Sequence, residues 1–217
     1  MTNHIVLFEP LMPANTGNIA RTCAGTNTEL HLIKPLGFST DDKYMKRAGL
    51  DYWDKVKITY HENLPEFLES MGENDELYVV SKFAERTYAD VDYTDESKNH
   101  YFLFGKETTG LPEIFMRKYE KKCIRIPQND RNIRALNLSN TAAIVIYEAL
   151  RQQSFPDLER VHRYENDKLK ELLKPPETAV FCCEHLFILA GICYNWNQDY
   201  QGGFFNGSEK KKNAQKK

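Results

Sequence analysis

Residues 4–9 (HIVLFE) form a short β-rich run closed by Pro10 and Pro13. The spacing then becomes helical. Ile19, Ala20, Cys23 and Ala24 share one side of a helix over residues 15–27, and Asn15 or Thr16 can cap its start. Residues 29–34 alternate as a strand and stop at Pro35-Leu36-Gly37. Asp41 or Asp42 opens a polar helical segment to about Ala48, which Gly49 ends. Residues 57–61 predict a short strand, and Asn63, with Pro65 in the first turn, starts a helix to Met71. Residues 76–81 and 101–104 are nearly continuous apolar runs, as in strands buried on both faces of a parallel sheet. Residues 112–118 predict a helix and 123–127 a strand. Ser139 or Asn140 then caps a strong helix to Gln153. Strands alternating with helices predict an α/β fold, a mainly parallel sheet with helices on both faces.

The alternating pattern ends near Lys170, and Pro175-Pro176 breaks the chain. Residues 1–170 therefore read as one domain. Residues 171–217 read as an appendix, expected to be disordered from about Gly202 onward because it is polar, glycine-containing and charged. No internal repeat is present.

Composition narrows the class. With 41% apolar and 12% aromatic residues among 217, disorder throughout is excluded. The stretch 180–193 is interrupted by Glu184 and His185 and is shorter than the about 20 residues of a membrane span. Residues 1–20 have neither the basic start nor the apolar block of a signal peptide. Five cysteines without Cys-x-x-Cys spacing argue against a disulfide scaffold and predict a reducing, cytoplasmic setting. Cys182, Cys183, His185 and Cys193 match no standard zinc spacing, so no metal is expected. Net charge is −2, and five lysines crowd the last ten residues, so charge gives no global signal for a nucleic-acid partner.

An α/β chain suggests a nucleotide or nucleoside bound at the strand ends. The usual phosphate fingerprints are missing. No two glycines are two residues apart, and although Gly105 and Gly110 have Walker spacing, Leu111 stands where the P-loop needs lysine. Three segments remain as candidates, each with a plain alternative. Residues 15–21 (NTGNIAR) enter a helix just after the first strand, and a capped helix with a surface arginine explains them equally. Residues 104–112 (FGKETTGLP) follow a buried strand, with Glu107 and Thr108 in a glycine-bracketed turn that lets backbone approach a ligand closely, and a strand followed by a plain turn explains them about as well. Residues 126–140 (IPQNDRNIRALNLSN) run into the capped helix, where caps alone explain Ser139 and Asn140. Two of these loops combine apolar residues with free backbone donors, which suits an adenine ring without phosphates.

In this order and separation, NTGNIAR, FGKETTGLP and IP…LNLSN resemble the three motifs of the SPOUT class of RNA methyltransferases. The resemblance is nearest to the compact branch that methylates the ribose 2′ oxygen of cytidine or uridine in tRNA, at wobble position 34. Residues 8–21 (FEPLMPANTGNIAR), the PLGF turn and residues 41–53 extend it, and it covers residues 3 to about 170. It implies S-adenosylmethionine as cofactor, a C-terminal trefoil knot, and a homodimer whose active site combines loops of both subunits, acting on the tRNA anticodon stem-loop. Position by position, it implies Val80, Gly105, Ile126, Ala135 and Leu136 as the cofactor pocket and Arg21 as the catalytic arginine. Asn15 would orient the Arg21 loop and Glu107 would hold the knot loops. Asn137, Ser139 and Tyr147 are candidates for the surrounding dimer or active-site shell. Lys43, Lys46, Arg47, Arg131 and Arg134 are candidates for RNA contact. Ala135 departs from relatives that carry serine there, and serves if the contact is through backbone. The alternatives are ribose methylation at another tRNA or rRNA site, and a non-catalytic RNA-binding dimer.

Overall fold

The computed structural model describes residues 1–40 and 53–161. Six strands make one sheet: β1 (Asn3–Phe8), β2 (Glu29–Ile33), β3 (Ile58–His61), β4 (Asp75–Val80), β5 (Asn99–Phe104) and β6 (Cys123–Ile124). Their order is β3-β2-β1-β5-β4-β6, and every pairing is parallel. All strand C-termini therefore meet at one edge, where the loops carrying the three motifs emerge.

Side chains alternate across the pleat, so β1 feeds two cores. Ile5 and Leu7 pack with Ile19, Ala20 and Cys23 of α1 (Pro13–Thr26) and with Ala142, Val145, Ile146 and Ala149 of α4 (Leu138–Gln152). Val6 and Phe8 pack on the opposite face with Phe67 of α2 (Leu64–Glu69), bordered by Phe115 and Met116 of α3 (Glu113–Lys118). Helices thus cover both faces, as the periodicity predicts. Asn63 caps α2, its side chain accepting from Glu66 N at 2.9 Å.

Two predicted caps are corrected. Helix α1 starts at Pro13 behind Met12, which makes no side-chain cap, because proline suits the first helical position with its fixed φ and missing N–H. Asn15 and Thr16 lie inside the helix, leaving the Asn15 amide free for a tertiary partner. Helix α4 is capped by Asn137, not by Ser139 or Asn140, whose backbone N–H groups donate to Asn137 Oδ1 at 2.9 and 3.3 Å. The last strand spans two residues rather than five. Beyond it, Arg125 N turns to the Arg86 carbonyl, and the segment leaves the ladder before Pro127. The polar helix expected over residues 41–48, Lys43, Lys46 and Arg47 lie outside the described residues, as do the appendix and its cysteines.

Candidate functional site

The loop after β5 turns back on itself at the sheet's C-terminal edge. Gly110 N donates to the Lys106 carbonyl at 3.0 Å, and Gly110 takes a left-handed φ of 71°. A Cβ on Gly105 would sit 2.5 Å from Gly110 C and from Leu111 N, so only glycine lets the loop close.

Glu107 at the tip of this loop reaches the start of α1. Its Oε2 accepts from Leu11 N at 3.1 Å, and its Oε1 accepts from Met12 N at 3.2 Å and Asn15 Nδ2 at 3.1 Å. The carboxylate thus satisfies backbone donors before a helix that lacks a local cap, at the end where the helix dipole favours negative charge. Asn15, buried, passes the chain onward, its Oδ1 accepting from Asn137 Nδ2 at 3.1 Å. Asn137 Oδ1 in turn caps α4 and accepts from Ser139 Oγ at 2.6 Å. Glu107, Asn15 and Asn137 are one polar relay joining the three motifs.

Beside the relay lies a cleft of about 650 Å³. Val80, Gly105, Ile126, Ala135 and Leu136 all line it, together with Asn15, Glu107, Asn137 and Arg134. Phe104, Leu138 and Thr141 also line it. Phe104 and Leu138 fall inside the second and third motifs without being singled out, and Thr141 lies just past the third, because strand-end and helix-start residues look like plain core in sequence. The volume falls within the about 300–1,000 Å³ usual for small-molecule sites. Apolar walls and a backbone brought close by a forced glycine fit a nucleoside-bearing cofactor that has no phosphates.

Of the remaining predicted residues among those described, only Arg134 lines this cleft. Arg134 is exposed; its Nη2 donates to the Thr108 carbonyl at 3.4 Å, and its own carbonyl accepts from Lys82 Nζ at 3.2 Å and Gln128 Nε2 at 3.3 Å. It therefore ties the second and third motifs together, a role the charge reading missed. Arg131 is exposed on the same loop. Arg21 is exposed on α1 and Tyr147 is half exposed on α4, both outside the cleft lining of the single chain.

A second titratable group lies apart from the cleft. His4 Nδ1 and His31 Nε2 share a hydrogen bond of 3.0 Å, and His31 Nδ1 and His61 Nε2 share one of 2.9 Å, across β1, β2 and β3. Tyr101 stacks on His4 with ring centroids 4.0 Å apart, and Glu29 Oε2 lies 3.6 Å from His4 Nδ1. Burial, reinforced by the neighbouring imidazoles, lowers the His31 pKa to about 3, and burial also lowers those of His4 and His61.

Comparison with known proteins accords with this geometry. Residues 2–147 match the SpoU rRNA Methylase family. A Lactobacillus gasseri protein provisionally named as an RNA (cytidine(34)-2′-O)-methyltransferase is 66% identical over 177 residues, covering 82% of this chain and 95% of that one. A crystal structure of a provisionally named RNA methyltransferase from Bacillus anthracis superposes with a TM-score of 0.70 at 55% identity, covering 72% of this chain and 98% of that one. A structure described as giving insight into 2-OH methylation of C/U34 on tRNA superposes at 0.64 with 36% identity, covering 70% and 97%. The match spans the sheet, the relay and the start of α4, and the chain belongs to the SpoU methylase family.

Proposed function

We propose that the protein transfers a methyl group from S-adenosylmethionine to the ribose 2′ oxygen of nucleotide 34, a cytidine or uridine, in the tRNA anticodon loop. The observation that carries this reading is the relay Glu107–Asn15–Asn137, which fixes three motif loops around one cleft. The names of the L. gasseri relative and of the C/U34 structure support the substrate.

S-adenosylmethionine supplies a methyl group already activated on positive sulfur. The protein's task is then alignment, exclusion of water and stabilisation of the attacking oxygen. Val80, Ile126 and Leu136 are the apolar walls, with Gly105 and Ala135 offering backbone. Arg21 holds the phosphate of the target nucleotide and stabilises negative charge developing on the 2′ oxygen. A guanidinium is too weak an acid to serve as general base. Both Glu107 oxygens already accept N–H groups, so this carboxylate organises loops rather than taking a proton. Arg131 and Arg134, both exposed, are RNA-contact residues, and the resemblance adds Lys43, Lys46 and Arg47, which lie outside the described residues.

The working unit is a homodimer. Ile144 and Tyr147 on α4 are 38% and 50% exposed, and Leu11 and Met12 before α1, the helix packed on α4, are 38% and 49% exposed. A second copy covering this apolar surface would bring its Arg21 toward the cleft. Light scattering at micromolar concentration gives twice the chain mass on this reading. The domain, which the sequence reading bounds at residues 1–170, carries a trefoil knot in its C-terminal part. In support, β6 lies at the sheet edge beyond β4, yet α4, which follows, packs on β1 and β5, and the connection meets the loop after β5 at Arg134 and Thr108. Among the described residues no helix is long and apolar enough to cross a membrane, in keeping with work in the cytoplasm. The test is nucleoside mapping of tRNA after incubation with labelled S-adenosylmethionine. Label in 2′-O-methylated C34 or U34 is expected, and label at another nucleotide, or none, refutes the assignment.

A further inference from the structure

Phe83 sits where a buried strand gives way to solvent. Strand β4 ends at Val80, and the chain turns at once, with Ala84 N donating to the Ser81 carbonyl at 3.3 Å and Phe83 N to Ser81 Oγ at 3.3 Å. Val79 and Ala84 on either side are buried, while the Phe83 ring is 73% exposed, the most exposed aromatic ring among the described residues. An isolated exposed apolar side chain is ordinary. This one stands at the rim of the cleft and also borders the larger neighbouring cavity of about 1560 Å³, so one ring faces both.

The ring is also held. Lys82 Nζ lies 4.9 Å from its centroid, and the same ammonium donates to the Arg134 carbonyl at 3.2 Å. Arg134 in turn reaches the Thr108 carbonyl. A lysine fixed on the third motif loop, which Arg134 ties to the second, therefore sits over the ring. A largely exposed ring with a cation over one face, at the mouth of a nucleoside-sized cleft, leaves its other face to stack an unpaired nucleobase.

We infer that Phe83 is the stacking platform for the base of the nucleotide whose ribose is methylated, with Lys82 holding the ring in place. The inference rests on the reading of the cleft as the methyl-transfer site. Ring and cofactor walls line one cleft, so the base that reaches Phe83 belongs to the ribose presented there rather than to a distant position. Stacking tolerates any base because each has a π-face, so Phe83 supplies grip without choosing between cytosine and uracil.

Binding of a labelled anticodon stem-loop RNA, followed by fluorescence anisotropy, tests this. Phe83→Ala weakens binding about ten- to one-hundred-fold, the usual range for one lost base–aromatic stack. Phe83→Trp binds like wild type, whereas Phe83→Leu, apolar but without a π-face, binds like Phe83→Ala. An abasic nucleotide 34 weakens wild type by the same factor and leaves Phe83→Ala unchanged. The stacking is overturned if Phe83→Ala binds like wild type or if Phe83→Leu rescues binding. It is overturned equally if the coupling falls on nucleotide 33 or 35. A fall in thermal midpoint, in S-adenosylmethionine affinity or in dimer mass for Phe83→Ala makes the ring structural instead. Methyl transfer to nucleotide 34 by wild type is measured alongside. Its absence defeats the proposed function, whereas transfer without any Phe83 effect defeats only the stacking.

Discussion

Asn137 donates through Nδ2 to Asn15 Oδ1 at 3.1 Å while its own Oδ1 caps α4, so one amide both starts a helix and ties it to another. The two halves separate by substitution. Asn137→Asp keeps the capping oxygen but loses the donor, and Asn137→Ala loses both. Removing the cap costs about 1 kcal/mol of stability, and in Asn137→Asp a carboxylate oxygen faces Asn15 Oδ1, which Glu107 keeps from turning, so both variants melt lower than wild type. Both lose methyl transfer, because Asn15 no longer holds the cleft edge. Thermal melts beside single-turnover transfer check this. An active Asn137→Asp would show that the bond to Asn15 is dispensable.

Glu107→Gln is expected to do more damage than its size suggests. All three groups that meet the carboxylate are N–H donors, from Leu11, Met12 and Asn15. A glutamine offers one oxygen and one NH₂, so whichever way it turns, a donor faces a donor. The loss is about 1–3 kcal/mol, shown as a lower urea midpoint, and the loop at the start of α1 loosens. Protection of the Leu11 and Met12 amides from hydrogen exchange should fall selectively. Unchanged protection would mean the carboxylate is not what holds that loop.

Much of this was readable in the sequence, for identifiable reasons. Buried parallel strands appear as unbroken apolar runs, and β4 and β5 fall where those runs do. The five positions that the resemblance implies for a cofactor line one cleft. Helix starts were less legible. Asn15 and Ser139 have the right chemistry for caps, but Pro13 claims the first helical position of α1 and Asn137 claims the cap of α4. Choosing among neighbouring polar residues depends on tertiary partners such as Glu107, far away in sequence. The role of Arg134 was hidden because its guanidinium meets the second motif at the backbone carbonyl of Thr108, a group that any residue carries. The histidine chain was missed because its members lie on three strands.

Arg21→Ala should abolish methyl transfer while S-adenosylmethionine affinity stays near wild type. The side chain lies outside the cleft lining, and its proposed partners, an RNA phosphate and the attacking oxygen, arrive only with the substrate. Losing a charge-assisted contact to a transition state costs about 3 kcal/mol, or roughly a hundredfold in rate. Arg21→Lys restores little, since the planar fork is gone. Calorimetry with S-adenosylmethionine and single-turnover transfer to tRNA separate the two effects. Collapse of cofactor binding would make Arg21 a structural or cofactor-binding residue.

The histidine chain predicts how stability depends on pH. Burial lowers the pKa values of His4, His61 and His100, and lowers that of His31 to about 3. Burial makes these imidazoles harder to protonate in the folded protein, whereas in the unfolded chain they take up protons near pH 6.5. The unfolded state thus binds more protons below that value. Stability is full above pH 6.5 and falls as pH drops, His31 contributing to the loss down to about pH 3. At pH 5 the share from His31 alone is about 2 kcal/mol. Urea unfolding at pH 7.5, 6 and 5 should therefore give steadily lower midpoints, before most carboxylates begin to protonate. His31→Gln should be less stable at pH 7.5, having lost its bonds to His4 and His61, but should show a shallower decline toward pH 5. A wild-type midpoint that is flat from pH 7.5 to 5 would mean that the imidazoles are open enough to water to charge in the native state.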